Sequence, residues 1–480
     1  MFAKISDIAK RRGILYPSFE LYGGVAGFYD YGPVGVRIKK NIEDLIRRHY
    51  VIDEECLEVE CPTLSPQDVW VASGHVTSFT DVMAECVKCG EPYKLEQLLV
   101  DAGVSGYGTT LSALKNLLEE KPIKCPKCGG DLGKVYDYNM MFQTFIGPGK
   151  YKTTAYLRPE TAQTTYLAFR RLWEVARKRL PFGVLQIGHS FRNEISPRQA
   201  IIRLREFNQA EIQFFLDPEH REAPKFSEVE GLKITIKDKK DGEHTLSIGE
   251  AHTAGVIADK LIAYHLGKAV NVFASMGIER DKLRLRQHHD DERSFYSSDT
   301  WDVEYTSESF GRIELVGVAD RTDYDLSAHA KLSGEDLAVT VDGRKFVPHV
   351  LEVAYGIDRP FWCVLESCLK EDERGTYFTF PKEVAPYVAS VFPLVGKDGI
   401  EEKARELFNR LKNDGFFLLF DKSGSIGRRY ARADEIGIPY CITVDYDTMA
   451  DGTVTLRDRN SKSQERLDVE ALTTRLRASA

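Results

Sequence analysis

No stretch of the 480-residue sequence reaches the ~18 consecutive apolar residues that a membrane span requires. The opening MFAKISDIAKRRG also lacks the apolar region and cleavage site of a signal peptide. These absences lead us to expect a cytoplasmic protein with no membrane partner. An excess of positive charge is missing too: 65 Lys and Arg face 73 Asp and Glu, a formal net charge of −8. That balance argues against general polyanion affinity and neither demands nor excludes a nucleic acid held on a local basic surface. Internal repeats and low-complexity tracts are absent. GSIGRR sets glycines and two arginines at a helix start but lacks the Lys-Ser/Thr ending of a phosphate-binding loop, so it reads as an anion-holding turn or a simple loop.

What is present is an ordinary globular composition, 42% apolar, in a chain long enough for two or three domains. Four of the nine cysteines form CVKC (Cys86, Cys89) and CPKC (Cys125, Cys128). That spacing lets two thiolate pairs bind one tetrahedral metal, so a structural Zn2+ is expected, with a redox role or a vestigial site as the alternatives. The residues between the pairs, with YKLEQLLVDAG and LSALKNLLEEKP readable as short amphipathic helices, make an inserted subdomain of about residues 84–136. Cys56, Cys61, Cys363, Cys368 and Cys441 show no such grouping and read as reduced structural thiols.

Apolar positions Val36, Ile38, Ile42, Leu45 and Ile46 among charges predict an amphipathic helix near 34–50, and DEECLEVECPTLSP predicts a strand after it. In YLRPETAQ, Pro159 suits a helix's first turn with Glu160 near its N-terminus. VLQIGHS and REFNQAEIQFF, separated by the polar FRNEISPR, predict an antiparallel hairpin with Arg192 and Glu194 on one face of a strand. Further strands are expected at LKITIKD, WDVEYTSE, GRIELVGVA and HVLEVAY, the last feeding a helix DRPFWCVLESCL with Arg359 in its first turn. A guanidinium at the positive end of a helix calls for an anion, and a polyphosphate suits it. Residues 1–380 therefore read as an α+β domain built on an antiparallel sheet, and 381–480, where strands and helices alternate, as a small α/β domain with a predominantly parallel core.

YGPVGVRIKKNIEDLI with CPTLSP, then FRNE with REF, then GIDRP, resemble in order the three signature motifs of class II aminoacyl-tRNA synthetases. YGGVAGFYDYGPVG, SGHVTSFTDVMAEC, LRPETAQ, FRNEISPR, REFNQAEIQFF and GVADRTDYDLSAH are similar, more narrowly, to the archaeal and eukaryotic homodimeric glycyl-tRNA synthetases, over nearly the whole chain. The resemblance implies an ATP-dependent, AMP-forming glycine–tRNA ligase, a class II catalytic domain, and a C-terminal α/β anticodon-binding domain. It implies tRNA(Gly), glycine and ATP as partners, a homodimer, and no DNA.

It also implies residue roles. Arg192 would bind the ATP α-phosphate and the amino-acid carboxylate. Glu194 would lie by the adenine or the tRNA end, Phe207 would stack on adenine, and Arg359 would grip the γ-phosphate. Arg203 or Arg205 would reach the phosphates as well; alternation puts both on one face and does not choose between them. Glu314 would help hold Mg2+, which takes oxygen ligands from phosphate and one or two carboxylates. Glycine would be held by Arg158, by the ammonium-binding Glu160, Glu211 and Glu352, and by Arg321 on its carboxylate. Three acids in one pocket repel one another without a cation, which makes a cationic ligand physically sensible. Excluding larger amino acids by bulk needs no editing domain.

Two positions depart from the family: Ala354 stands where it commonly has a Ser, and Thr164 where it usually has a Gly. RQHHDDERSF has a metal-like composition, but its adjacent residues point different ways, and no metal is assigned to it. The competing readings are a catalytically retired synthetase that binds tRNA, and a synthetase for alanine, serine or threonine. The intact nucleotide clamp argues against the first, and the acid-rich pocket with RTDYDL against the second.

Overall fold

The structure, a computed structural model, describes residues 1–104, 111–195, 197, 199–290, 292–294, 296–373 and 375–478. Its frame is a nine-stranded sheet. In chain order the strands are β1 (Leu57–Val59), β2 (Phe182–Phe191), β3 (Glu206–Leu216), β4 (Lys233–Lys237), β5 (Glu243–Ser247), β6 (Leu283–Gln287), β7 (Asp299–Ser307), β8 (Gly311–Thr322) and β9 (His349–Gly356). Their spatial order is β5-β4-β6-β7-β8-β9-β3-β2-β1. From β6 through β2 every neighbour is antiparallel, while β1 joins β2, and β4 joins β6, in parallel.

The middle strands are covered on both faces, so their sequences read as near-continuous buried runs. In β3, Ala210, Ile212 and Phe214 join the main core, while Glu211 and Gln213 go to the other face, with Phe215 packing in a second apolar cluster. Three helices back the main core: α1 (Gly35–Arg47), α2 (Lys260–Ser275) and α3 (Asp358–Cys368). α1 turns Ile38, Ile42, Leu45 and Ile46 inward and leaves Asp44 and Arg47 outside, as its periodicity requires. Gly35 is obligatory, because a Cβ there would lie 1.8 Å from the Ile14 carbonyl oxygen. α2 is apolar nearly all round and buried from Leu261 to Val270; the Asp259 carboxylate caps it by accepting from the Leu261 and Ile262 amides.

The cysteine insert forms a three-stranded sheet, Thr80–Cys86 between Pro92–Lys94 and Leu132–Asn139, covered by helices Leu95–Asp101 and Leu111–Glu120 over a small core of Leu95, Leu99, Leu114 and Leu118. Toward the C-terminus, a five-stranded sheet has its own apolar cluster. Its strands Leu418–Phe420, Ala389–Pro393 and Tyr440–Val444 run parallel, and Val454–Asp458 and Gln464–Leu467 continue the sheet antiparallel. Among the described residues no helix is long and apolar enough to cross a membrane.

Several local expectations are corrected. DEECLEVECPTLSP forms two short strands, β1 and Leu64–Pro66, in different sheets, because Pro62 interrupts the run. Pro159 lies before its helix, which starts at Ala162. Arg192 and Glu194 stand beyond the end of β2, and Arg203 and Arg205 precede β3, with a 3-10 turn at Ala200–Ile202 between, so strand alternation does not govern these four. The C-terminal sheet keeps the predominantly parallel core expected of it, since only Val454–Asp458 runs against the other four strands.

Candidate active site

Residues of β3, β8 and β9 and of the segment between β2 and β3 line a cavity of about 600 Å³. Along β3, Phe207, Gln209 and Glu211 line it in succession, every second residue facing the same way. The strand thus joins two chemically different ends.

One end is cationic. Arg192, just past β2, donates from Nε to the Pro159 carbonyl (3.2 Å), and its guanidinium lies 5.3 Å from the ring of Phe207 and 5.3 Å from that of Phe79. Arg359, in the first turn of α3, donates to the Glu314 carboxylate (3.1 Å) and to the carbonyls of Ile202 and Glu314. Glu314 is therefore the resident anion beside that helix end. The Glu314 carboxylate remains half-exposed to the cavity, so it keeps oxygen lone pairs for a cation. Glu194 and Arg203 face each other across 3.9 Å and also line the cavity. Arg205 does not; its guanidinium is held by the carbonyls of Glu194 and Ala26. Of the two arginines that alternation left open, Arg203 is the one that lines the cavity. Beside Glu314, His288 meets the buried Asp302 (2.7 Å), and burial, reinforced by Glu314, pushes the Asp302 carboxyl up to about 6. Asp291 of the same run lies outside the described residues.

The other end is acidic. Glu160, Glu211 and Glu352 line it and are buried. Arg321, fully buried behind them, forms a two-pronged pair with Asp325 (2.7 and 3.0 Å), meets Glu352 at 3.1 Å and Glu160 at 3.5 Å, and lies 3.8 Å from the ring of Tyr296. Three carboxylates thus meet one guanidinium with Glu211 buried beside them, so the group must take up a further cation or keep a proton. The proton falls to Glu211: burial first, then Glu352 and Glu160, push it up to about 8. Burial raises Glu352 as well. For Glu160 the burial penalty is outweighed by His75 and Arg321, which hold it far below the usual carboxylate range.

Two arginines expected to bind glycine have protein partners. Arg321 is committed to Asp325, Glu352 and Glu160 and is not among the residues lining the cavity. Arg158 is also absent from the lining; its guanidinium binds the carbonyls of His189 and Cys61 and the side chain of Gln186, fastening the start of the second signature motif to the chain before it. Asp325, His75 and Tyr296 join the site although the sequence assigned them no part. Their only signal was membership of the segments RTDYDL, SGHV and RSFY.

The four cysteine sulfurs Cys86, Cys89, Cys125 and Cys128 lie within 4.8 Å of one another, and among the described residues no other His, Cys, Asp or Glu group gathers its ligand atoms this way. A Cβ on Gly130 would come within 3.1 Å of the Cys86 sulfur and 3.3 Å of the Cys128 sulfur, so the knuckle closes only around a glycine. All-thiolate donors at tetrahedral spacing suit zinc. On the C-terminal helix Ile426–Glu435, Arg429 is buried on carbonyls of Gly424 and Pro393 and Arg432 pairs with Asp421, leaving Arg428 of the three arginines exposed.

Residues 148–237 match the family described as tRNA synthetase class II core domain (G, H, P, S and T), and residues 389–479 match the anticodon binding domain. A glycine–tRNA ligase of Methanocaldococcus jannaschii is 41% identical, covering 98% of this chain and 98% of the relative. Those of Methanothrix thermoacetophila and Pyrococcus abyssi are each 40% identical over 98% of this chain, covering 95% and 97% of the relatives. The aligned lengths of 550 to 564 residues exceed the chain, so these relatives carry internal residues that it lacks. Among solved structures, the RNA binding domain of threonyl-tRNA synthetase from Cryptosporidium parvum Iowa II superimposes with a TM-score of 0.62 at 16% identity, over 99% of this chain and 98% of that one, a likeness of fold. A class II frame, a cavity cationic at one end and acidic at the other, and whole-chain identity of about two residues in five to curated relatives place this chain in the glycine–tRNA ligase family of class II aminoacyl-tRNA synthetases.

Proposed function

We propose that this single cavity performs both half-reactions of glycine–tRNA ligation with the residues assigned as follows. The observation that carries the assignment is β3 itself, which lines one cavity with Phe207 at the cationic end and Glu211 at the acidic end, so nucleotide and amino acid meet between them. Phe207 stacks on the adenine. Arg192 binds the α-phosphate and the glycine carboxylate, Arg359 grips the terminal phosphate, Arg203 reaches the phosphates, and Glu194 lies by the adenine or the tRNA end. Glu160, Glu211 and Glu352 take the glycine ammonium, with Glu211 giving up its proton to do so. Arg321 acts from behind, holding Glu160 and Glu352 in place.

The chemistry then needs no protein nucleophile. The glycine carboxylate oxygen attacks the α-phosphorus, pyrophosphate leaves, and Arg192 and Arg359 stabilise the charge that grows on the phosphoryl oxygens. Mg2+, used with ATP across class II synthetases, would be held by Glu314 and supply further charge neutralisation there. The 3′-terminal ribose hydroxyl of tRNA(Gly) next attacks the adenylate carbonyl, and AMP leaves. Bulk exclusion around the buried glutamates rejects larger side chains.

The remaining assignments complete the reading: catalytic residues 1–380 with the 84–136 insert, an anticodon-binding domain at 381–480, Zn2+ on the four cysteines, a homodimer and a cytoplasmic location. Amino-acid-dependent ATP–pyrophosphate exchange, without tRNA and with each of the twenty amino acids, tests the site. Exchange with glycine alone is the expected result. Exchange with alanine or serine overturns the pocket assignment, and no exchange by folded protein overturns the catalytic one.

A further inference from the structure

The hairpin that carries the cysteines runs down to the active site. Its strand Thr80–Cys86 follows directly on Phe79 and the helical turn His75–Ser78, and pairs with Leu132–Asn139. At the foot, Asn139 reaches back and donates from Nδ2 to the carbonyls of His75 and Val76, each at 3.0 Å. The backbone closes the junction: the Met140 amide donates to the Phe79 carbonyl (3.1 Å), and the Asn193 amide, next to Arg192, donates to the Met140 carbonyl (2.7 Å).

His75, Ser78 and Phe79 of this turn line the cavity, with His75 beside Glu160 and Phe79 beside Arg192. His75 is buried with Nε2 3.4 Å from the Glu160 carboxylate, while Nδ1 meets the Ser73 hydroxyl at 2.8 Å and the ring stands edge-on to Trp70. Phe79 faces Arg192, whose guanidinium lies between it and Phe207 at 5.3 Å from each. A guanidinium between two aromatic faces keeps few rotamers, and a displacement of about 1 Å in such a group costs about a hundredfold in rate.

We propose that the cysteine-bearing insert is a strut for catalysis. By clamping the turn His75–Phe79 through Asn139, it positions Glu160 and Arg192 as one unit. The proposal rests on the roles given above to those two residues. His75 and Phe79 are positioning residues, acting through Glu160 and Arg192, and Asn139 couples the hairpin to both.

The test is ATP–pyrophosphate exchange by the full chain, reading kcat and the KM for glycine and for ATP, with thermal midpoints alongside. Phe79→Leu keeps bulk but removes the aromatic face; it is expected to lower kcat about tenfold with glycine KM within about twofold, and Phe79→Tyr to restore it. His75→Gln is expected to raise glycine KM about fivefold or more with ATP KM unchanged. Asn139→Asp keeps the side-chain shape, loses the donor, and is expected to produce both effects. The proposal is overturned if Phe79→Leu or Asn139→Asp leaves all three constants unchanged, or if the variants lower only the thermal midpoint. Arg192→Lys and Glu160→Gln run in parallel separate the two readings. Activity lost in these but kept in the strut variants sinks the strut alone, and activity kept in these sinks the site assignment.

Discussion

Glu211 is buried among Glu160, Glu352 and Thr161, and its pKa of about 8 follows from burial first and the two neighbouring carboxylates second. An ammonium binds best to the ionised form, so glycine KM is expected to fall as pH rises from 6 and to level above about 8, by at most about tenfold per unit. Glu211→Gln flattens that profile, which initial-rate exchange across pH will read. Between the ordinary 4.5 and about 8 the folded chain holds a proton that the unfolded chain has lost, so folding stability declines with pH through that window. The same substitution removes the decline, measured by urea titration at pH 5 and 8. Ala354 lines the cavity without a hydroxyl; with three glutamates present, Ala354→Ser is expected to change glycine kcat/KM by less than about tenfold, and a larger gain would mean a missing pocket hydrogen bond. The three glutamates were legible through the resemblance. For Arg158 and Arg321 a motif gives the arginine's presence, while its partners come from other segments: Cys61 and His189 for one, Glu352 and Asp325 for the other.

Elements carry these side chains into register. β2 passes Arg158 at Gly188, where a Cβ would lie 2.2 Å from the guanidinium. Gly188→Ala is therefore expected to cost about 2–3 kcal/mol, seen in the thermal midpoint, by breaking buried hydrogen bonds from a charged donor. In the insert, a core of few apolar side chains supports three short strands, so a metal on the four cysteines would carry much of its stability. Chelation is expected to release zinc and to raise amide exchange across Thr80–Asn139 while the nine-stranded sheet stays protected; complete metal removal with no change in exchange would contradict a structural metal. The strands were legible wherever period-2 or continuous apolar runs were long. Pro159 was misread because a proline suits both the residue before a helix and its first turn, and only backbone geometry separates the two.

At the scale of the molecule, the C-terminal sheet is tied to the catalytic frame through α1 and the N-terminus. Arg37 on α1 donates to the Pro386 carbonyl and stacks 3.6 Å from the Phe417 ring, Asn41 donates to the Ala385 carbonyl, and Arg11 pairs with Glu435 at 3.1 Å. Arg37→Ala is expected to lower tRNA charging about fivefold or more while ATP–pyrophosphate exchange stays within about twofold, since the tie positions the far domain rather than the cavity. The sequence by itself determined the class of fold, the paired cysteine knuckles and several of the residues at both ends of the cavity, because apolar periodicity, CxxC spacing and contiguous motifs are local properties of a chain. Only the tertiary structure decided which arginine lines the cavity, that Arg321 pairs with Glu160 and Glu352, that burial and two neighbouring carboxylates push Glu211 toward its protonated form, and that the cysteine hairpin stands on the turn beside Arg192. Those outcomes depend on burial and on Coulomb partners brought together from distant positions, and both vary with distance in space rather than with separation along the chain.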